Sequence, residues 1–157
     1  MSKATRATRQ LDAAKVAYAV HAYDYDGDVE RIGMAAAAAL GVDAAKVFKT
    51  LMVLADGKPA CVILPADREV AMKKLAAALG AKQAQMMPIA DAERISGYKV
   101  GGISPFGQTR RLAVVIDEAA QAQERIFLNG GQRGLQVELA PGDAARVLDA
   151  RLAAITA

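Results

Sequence analysis

One cysteine, one histidine and no tryptophan occur among the 157 residues of this chain, and each scarcity excludes a class of chemistry. The lone Cys61 rules out an internal disulfide and any multi-cysteine metal centre. With His21 as the only imidazole, a zinc site lacks ligands, so neither a metal nor an organic cofactor is expected. Cys61 lies among Ala60, Val62 and Ile63 and reads as a small buried hydrophobe rather than a reactive thiol; a Cys–His nucleophilic pair would have to recruit His21 from across the fold. Aromatic residues make up 4% of the chain, too few for a platform that stacks several single-stranded bases. No apolar run approaches the roughly 20 residues of a membrane span. The basic start from Met1 to Arg9 is not followed by an apolar signal segment, so a cytoplasmic protein without membrane contact is expected. Neither a Pro/Ser-rich linker nor a break in composition divides the sequence, and one domain over residues 1–157 follows.

What is present is alanine-rich and mildly basic. Hydrophobic residues supply 54% of the chain and the net charge is +3, compatible with a polyanionic partner without requiring one. Periodicity predicts an opening helix from Thr5 to about Ala17, a short strand carrying Val20, Ala22 and Tyr23, and a helix from Glu30 to Leu40 stopped by Gly41. Val47–Ala55 and Ala60–Leu64 read as strands joined antiparallel through Asp56-Gly57, a hairpin signal. Asp67 is placed to cap a helix running to Gly80; a weak strand over Lys82–Met87 and a short helix near Asp91–Ile95 come next. The Met86-Met87 pair reads as core filling. Strands Leu112–Ile116, Arg125–Leu128 and Leu135–Leu139 follow, and a closing helix from Pro141 carries Ala144, Val147, Leu148, Leu152 and Ile155 on one face. Strands in pairs, with helices between and at the ends, predict an α+β domain with a mixed or largely antiparallel sheet.

Two features ask for a functional explanation. The run Gly101-Gly102-Ile103-Ser104-Pro105-Phe106-Gly107 packs three glycines, a proline and a serine into seven residues, the composition of a backbone held close to a ligand. Its spacing up to Thr109 imitates a phosphate-binding Walker loop, but Gln108 stands where the lysine belongs, and a basic pair and a strand follow instead of a helix. Asp24, Asp26 and Asp28 likewise imitate a calcium loop without its sharp-turn glycine, and read as a solvated turn. Lys49 is the second feature, the one charge inside Val47–Ala55. By alternation it shares a face with Val47, Leu51 and Val53, which buries its stem and points its ammonium at a cleft. Arg110 and Arg111, directly after the glycine loop, are placed to meet phosphate or to form a solvated edge.

Together, Lys49-Thr50-Leu51, the glycine loop and the turn Gly130-Gly131-Gln132-Arg133-Gly134 resemble the YbaK/EbsC family of aminoacyl-tRNA deacylases. These are free-standing relatives of the editing domain inserted in bacterial prolyl-tRNA synthetase. The resemblance runs from about Val20 to the closing helix and implies one α+β domain on a mixed, barrel-like sheet. It further implies cleavage of a mischarged aminoacyl-tRNA, in the best-studied branch Cys-tRNA(Pro), with a partner complex with prolyl-tRNA synthetase. In that family the lysine matching Lys49 is essential and positions the 3′ end of the tRNA. The loop from Gly101 through Gly102, Ile103, Ser104 and Pro105 would hold the aminoacyl ester and its oxyanion. Tyr23, Thr50 and Gly101 match positions of the family's substrate pocket, Gly131 of the second turn is placed with them, and the substrate's own thiol serves as nucleophile. Three positions depart: Ile32 replaces an aromatic residue, Asn129 a serine and Gln136 an aspartate. An amide holds an ammonium less strongly than a carboxylate, so Gln136 leaves the charged amino acid open. Two other readings stay in view: hydrolysis of Ala- or Ser-tRNA by activated water, and a non-catalytic module that binds a nucleotide or a tRNA end.

Overall fold

The computed structural model describes residues 4–24 and 32–157, with the backbone alone described at 32 and 33. The turn residues Asp26 and Asp28 and the side chain of Ile32 lie outside the described residues. The chain begins with α1 (Arg6–Ala13), where Thr5 caps by accepting from Thr8 N at 3.1 Å and Thr8 Oγ1 accepts from Thr5 N at 2.8 Å. This helix stops short of the expected Ala17. Lys15 turns left-handed at φ +58° and Val16 N closes back onto Leu11 O at 3.1 Å, which frees residues 19–22 for a strand.

That strand, β1 (Ala19–Ala22), is followed by α2 (Ile32–Leu40), β2 (Phe48–Ala55) and β3 (Lys58–Pro65). Asp56 at φ +49° and Gly57 at φ +79° form the hairpin turn, both central residues having the positive φ of a type I′ turn. The Asp56 carboxylate also accepts from Lys82 N at 3.0 Å and Gln83 N at 3.1 Å, which brings the next strand to the β2 edge. After α3 (Met72–Ala78) come β4 (Ala84–Met86), α4 (Ile89–Ser96), the glycine loop, β5 (Ala113–Asp117), β6 (Ile126–Asn129), β7 (Leu135–Leu139), α5 (Pro141–Leu148) and β8 (Arg151–Ala153).

The strands form an antiparallel sheet β1-β7-β6 and a mixed sheet β4-β2-β3-β5-β8, parallel only at β3-β5 and β5-β8. A parallel bridge between Val47 and Phe127 joins them, and the two sheets wrap a shared interior. In that interior Leu11 of α1 meets Phe48, Met52, Cys61 and Ile63 of the mixed sheet and Ile126, Leu128 and Val137 of the other. The outer face of β3, with Val62 and Leu64, is covered by Leu75 of α3 and by Ile155. β3 is apolar and buried on both faces from Ala60 onward.

Two further expectations fail. Asp67 caps no helix: α3 starts at Met72 behind Ala71, without a side-chain cap, because residues 69–71 instead pair with the C-terminal residues. The closing helix ends at Leu148, where Asp149 turns left-handed at φ +51°, so Leu152 and Ile155 do not share its face. Residues 151–153 add to the open edge of β5, leaving Leu152 exposed and Ile155 in the outer core. No helix among the described residues is long and apolar enough to cross a membrane.

Candidate active site

A cavity of about 480 Å³ opens where β2, the glycine loop and the β6–β7 pair converge. Six of the residues singled out from the sequence line it: Lys49, Thr50, Gly101, Ile103, Asn129 and Gln136. Met34, Phe48, Met52 and Met87 supply much of the apolar wall, and Asp67 and Glu69 the acidic part. Lys49 has a largely buried side chain, 22% exposed, and its Nζ lies 4.0 Å from Glu69 Oε1. Because Glu69 is solvent-exposed, such a pair is worth about 0–1 kcal/mol and leaves the ammonium available to an anion.

The glycine loop is built by contacts with the second glycine turn. Gly102 N donates to Lys99 O at 2.9 Å, and Gly101 takes φ +88°, the third position of a type II turn. A Cβ on Gly102 would lie 2.9 Å from Gln132 Cα, so no side chain fits where the two turns touch. The Asn129 amide joins them: Nδ2 donates to Gly101 O at 3.2 Å, and Oδ1 accepts from Gly131 N at 2.7 Å. Arg133 Nε adds a bond to Val100 O at 2.9 Å. The N–H groups of Gly101 and Ile103 find no acceptor among the described residues, and both residues line the cavity. Paired backbone donors of this kind suit a carbonyl oxygen that gains negative charge.

Other sequence-chosen residues sit elsewhere. Ser104 and Pro105 are buried behind the loop, and Ser104 Oγ accepts from Phe106 N at 3.1 Å. Gly102 and Gly131 shape the turns without lining the cavity. Tyr23 packs against the cluster that holds Val47 and Phe127, its N–H donating to Gly134 O at 2.9 Å. Arg110 and Arg111 are exposed beside a separate cavity of about 190 Å³, and Arg111 Nη2 lies 3.4 Å from Asp149 Oδ2. Cys61 is buried, and burial pushes its thiol up to about 12, partly offset by a hydrogen bond with Gln108.

Two buried polar atoms stand out. Thr50 Oγ1 and Gln136 Oε1 have no hydrogen-bond partner among the described residues, and both residues line the cavity. An unmet buried polar group costs about 1–3 kcal/mol, and these two oxygens lie in residues of the cavity wall with almost no accessible surface of their own. The sequence reading missed Glu69, Asp67 and the cavity role of Met87. Met87 carried a signal, an apolar residue after a weak strand, that reads equally as core; Glu69 carried none, because its position depends on residues 155–157.

A model of the aminoacyl-tRNA editing domain matches residues 28–147. The chain belongs to the aminoacyl-tRNA editing domain family. Over 153 residues this editing domain is 32% identical to an Enterococcus faecalis protein, provisionally named Cys-tRNA(Pro)/Cys-tRNA(Cys) deacylase EbsC, covering 97% of this chain and 93% of that one. It is also 30% identical over 96 residues to a proline–tRNA ligase of Geobacter metallireducens, covering 61% of this chain and 16% of the ligase. The stretch shared with the ligase is thus one part of a much longer protein. The fold matches the crystal structure of a hypothetical protein with a TM-score of 0.87 at 20% identity, covering 98% of this chain and 100% of the other.

Proposed function

We propose that this editing domain is a trans-acting deacylase that clears mischarged tRNA, Cys-tRNA(Pro) first among its substrates, without a nucleophile of its own. The observation that carries the reading is the make-up of the cavity. Lys49, Gly101 and Ile103 line it, the N–H groups of the two loop residues finding no acceptor among the described residues, while no serine, cysteine or histidine is among its described lining residues. Lys49 would hold a phosphate of the tRNA 3′ end, and the backbone donors would receive the oxyanion. Attack comes from the substrate thiol on its own ester carbonyl: the S–C bond forms and the ester C–O bond breaks. The thiol proton ends on the departing ribose oxygen. The cyclic thioester that leaves is opened by water. Editing of this kind is needed because cysteine and proline are close in volume, so a synthetic pocket rejects one against the other only weakly.

A cavity of this size grips the 3′ end but little of the tRNA body, and a mildly basic surface adds little more. Selection of the tRNA therefore falls to a complex with prolyl-tRNA synthetase. Hydrolysis of Ala- or Ser-tRNA by water is favoured by one feature, the neutral amides of Asn129 and Gln136 in the cavity wall where the resemblance implies a serine and an aspartate. Deacylation of Cys-, Ser- and Ala-charged tRNA in parallel separates the two. Cys-tRNA cleaved at least about tenfold faster than Ser-tRNA is the expected result, since a hydroxyl is a far weaker nucleophile near neutral pH. Equal rates on all three would replace the thiol route with the water route. No cleavage of any would leave a binding module.

A further inference from the structure

Among the described residues, the charged side chains that line the cavity are Lys49, Asp67 and Glu69. Both carboxylates come from the segment between β3 and α3, which the last residues of the chain hold in place. Ala157 N donates to Glu69 O at 2.9 Å, Ala71 N donates to Ile155 O at 2.7 Å, and Val70 bridges Thr156. Ile155 is fully buried and its N–H donates to Asp117 Oδ1 at 3.1 Å, so the strap is rooted in the core. Glu69 thus carries a solvent-exposed carboxylate, 89% accessible, on a backbone fixed at the cavity.

The 4.0 Å contact between Glu69 Oε1 and Lys49 Nζ is long and solvated, and opens at little cost when an anion takes the lysine. The β6–β7 wall offers no competing carboxylate. Gln136 is 3% exposed with Oε1 unpartnered, and the Asn129 amide is already bonded at both ends to the glycine turns. A neutral amide accepts a hydrogen bond but brings no net charge to a cation.

An aminoacyl ester at the tRNA 3′ end carries charge on both sides of the bond to be cut, phosphate on one and the α-ammonium on the other. Resting on the deacylase reading above, we infer that Glu69 binds the α-ammonium of the aminoacyl ester, exchanging Lys49 for it when the 3′ phosphate takes Lys49. The substrate class is then esters of amino acids with a free amine, and N-acylated esters such as peptidyl- or formyl-aminoacyl-tRNA are spared.

The test compares wild type, Glu69→Gln and Glu69→Asp on one aminoacyl-tRNA and on the same tRNA after N-acetylation. Glu69→Gln is expected to lower kcat/KM on the free-amine substrate about tenfold, the effect of one lost charge-assisted contact, while the N-acetyl substrate stays within about twofold. Glu69→Asp keeps most of the preference. Equal loss on both substrates would mean that Glu69 acts through Lys49 or the fold, and no loss that it does not touch the amine; either overturns the inference. Should wild type cleave neither ester, the deacylase reading fails, and calorimetry decides the amine site separately. Its probes are 3′-aminoacylamino-adenosine monophosphate and the N-acetyl form. Weaker binding of the free-amine probe alone to Glu69→Gln supports the site; equal binding or none sinks it.

Discussion

Lys49 enters β2 beside the buried Phe48, with most of its side chain out of water and its ammonium at the cavity. Truncation to alanine removes a charge whose only ion-pair partner among the described residues is the distant, exposed Glu69, so the packing loss is about 1 kcal/mol and the fold survives. Lys49→Ala is expected to lose at least about 100-fold in deacylation, the scale of a lost contact to a charged group in a site, with an unchanged circular dichroism spectrum. Wild-type turnover by a folded variant would remove Lys49 from the mechanism. Cys61 is the opposite case. Its folded pKa is raised, so the stability linked to its neutral thiol is fully present below the ordinary thiol value and is lost as pH climbs toward about 12. At pH 8 a thiol reagent should label the native protein only slowly and the urea-unfolded chain at once. Cys61→Ala should keep its deacylase activity at a stability cost of about 1–2 kcal/mol. Fast labelling of the native protein, or a dead Cys61→Ala variant, would return this thiol to the list of nucleophiles.

At the scale of elements, the glycine loop and the turn after β6 act as one unit, because Asn129 and Arg133 reach across to Gly101 and Val100. Gly102→Val drives a side chain into the Gln132 backbone, which must move, and the N–H groups of Gly101 and Ile103 move with it. Activity should fall at least about tenfold, more than the fall in melting temperature explains. Ser104→Ala removes only an internal acceptor for Phe106 N, a loss of about 1 kcal/mol, and should retain turnover. An acyl-serine adduct trapped on Ser104 by mass spectrometry would reverse that assignment. The loop was legible in the sequence as a crowd of glycines. Its partner was not, since Asn129 and Gly101 are 28 residues apart and meet only through the sheet.

Across the whole molecule, a parallel bridge at Val47–Phe127 joins the two sheets, and the cavity takes one wall from β2 and another from β6–β7. This placement separates chemistries along the site: cation and carboxylates on the β2 side, neutral amides on the β6–β7 side. It also accounts for Arg110 and Arg111. They follow the glycine loop in sequence, yet the chain turns so that they face a second cavity with Gln10 and Leu148. Proximity along the chain suggested a phosphate contact; the fold sets both at the second cavity, with Arg111 Nη2 3.4 Å from Asp149 Oδ2.

The sequence by itself determined the local elements whose signals are short-range: the Asp56-Gly57 hairpin, the glycine stop after α2, the apolar run of β3 and the isolation of Lys49 within an apolar strand. Each depends on residues within a few positions of one another, where backbone sterics and side-chain alternation decide the outcome. Only tertiary structure decided that Asp67 would leave its helix to line a cavity, that residues 151–153 would become a strand, and that Glu69 would be fixed by the last residues of the chain. Those outcomes turn on open sheet edges and backbone groups seeking partners far away in sequence, and a hydrogen bond across 88 residues, from Ala157 to Glu69, leaves no mark on local periodicity.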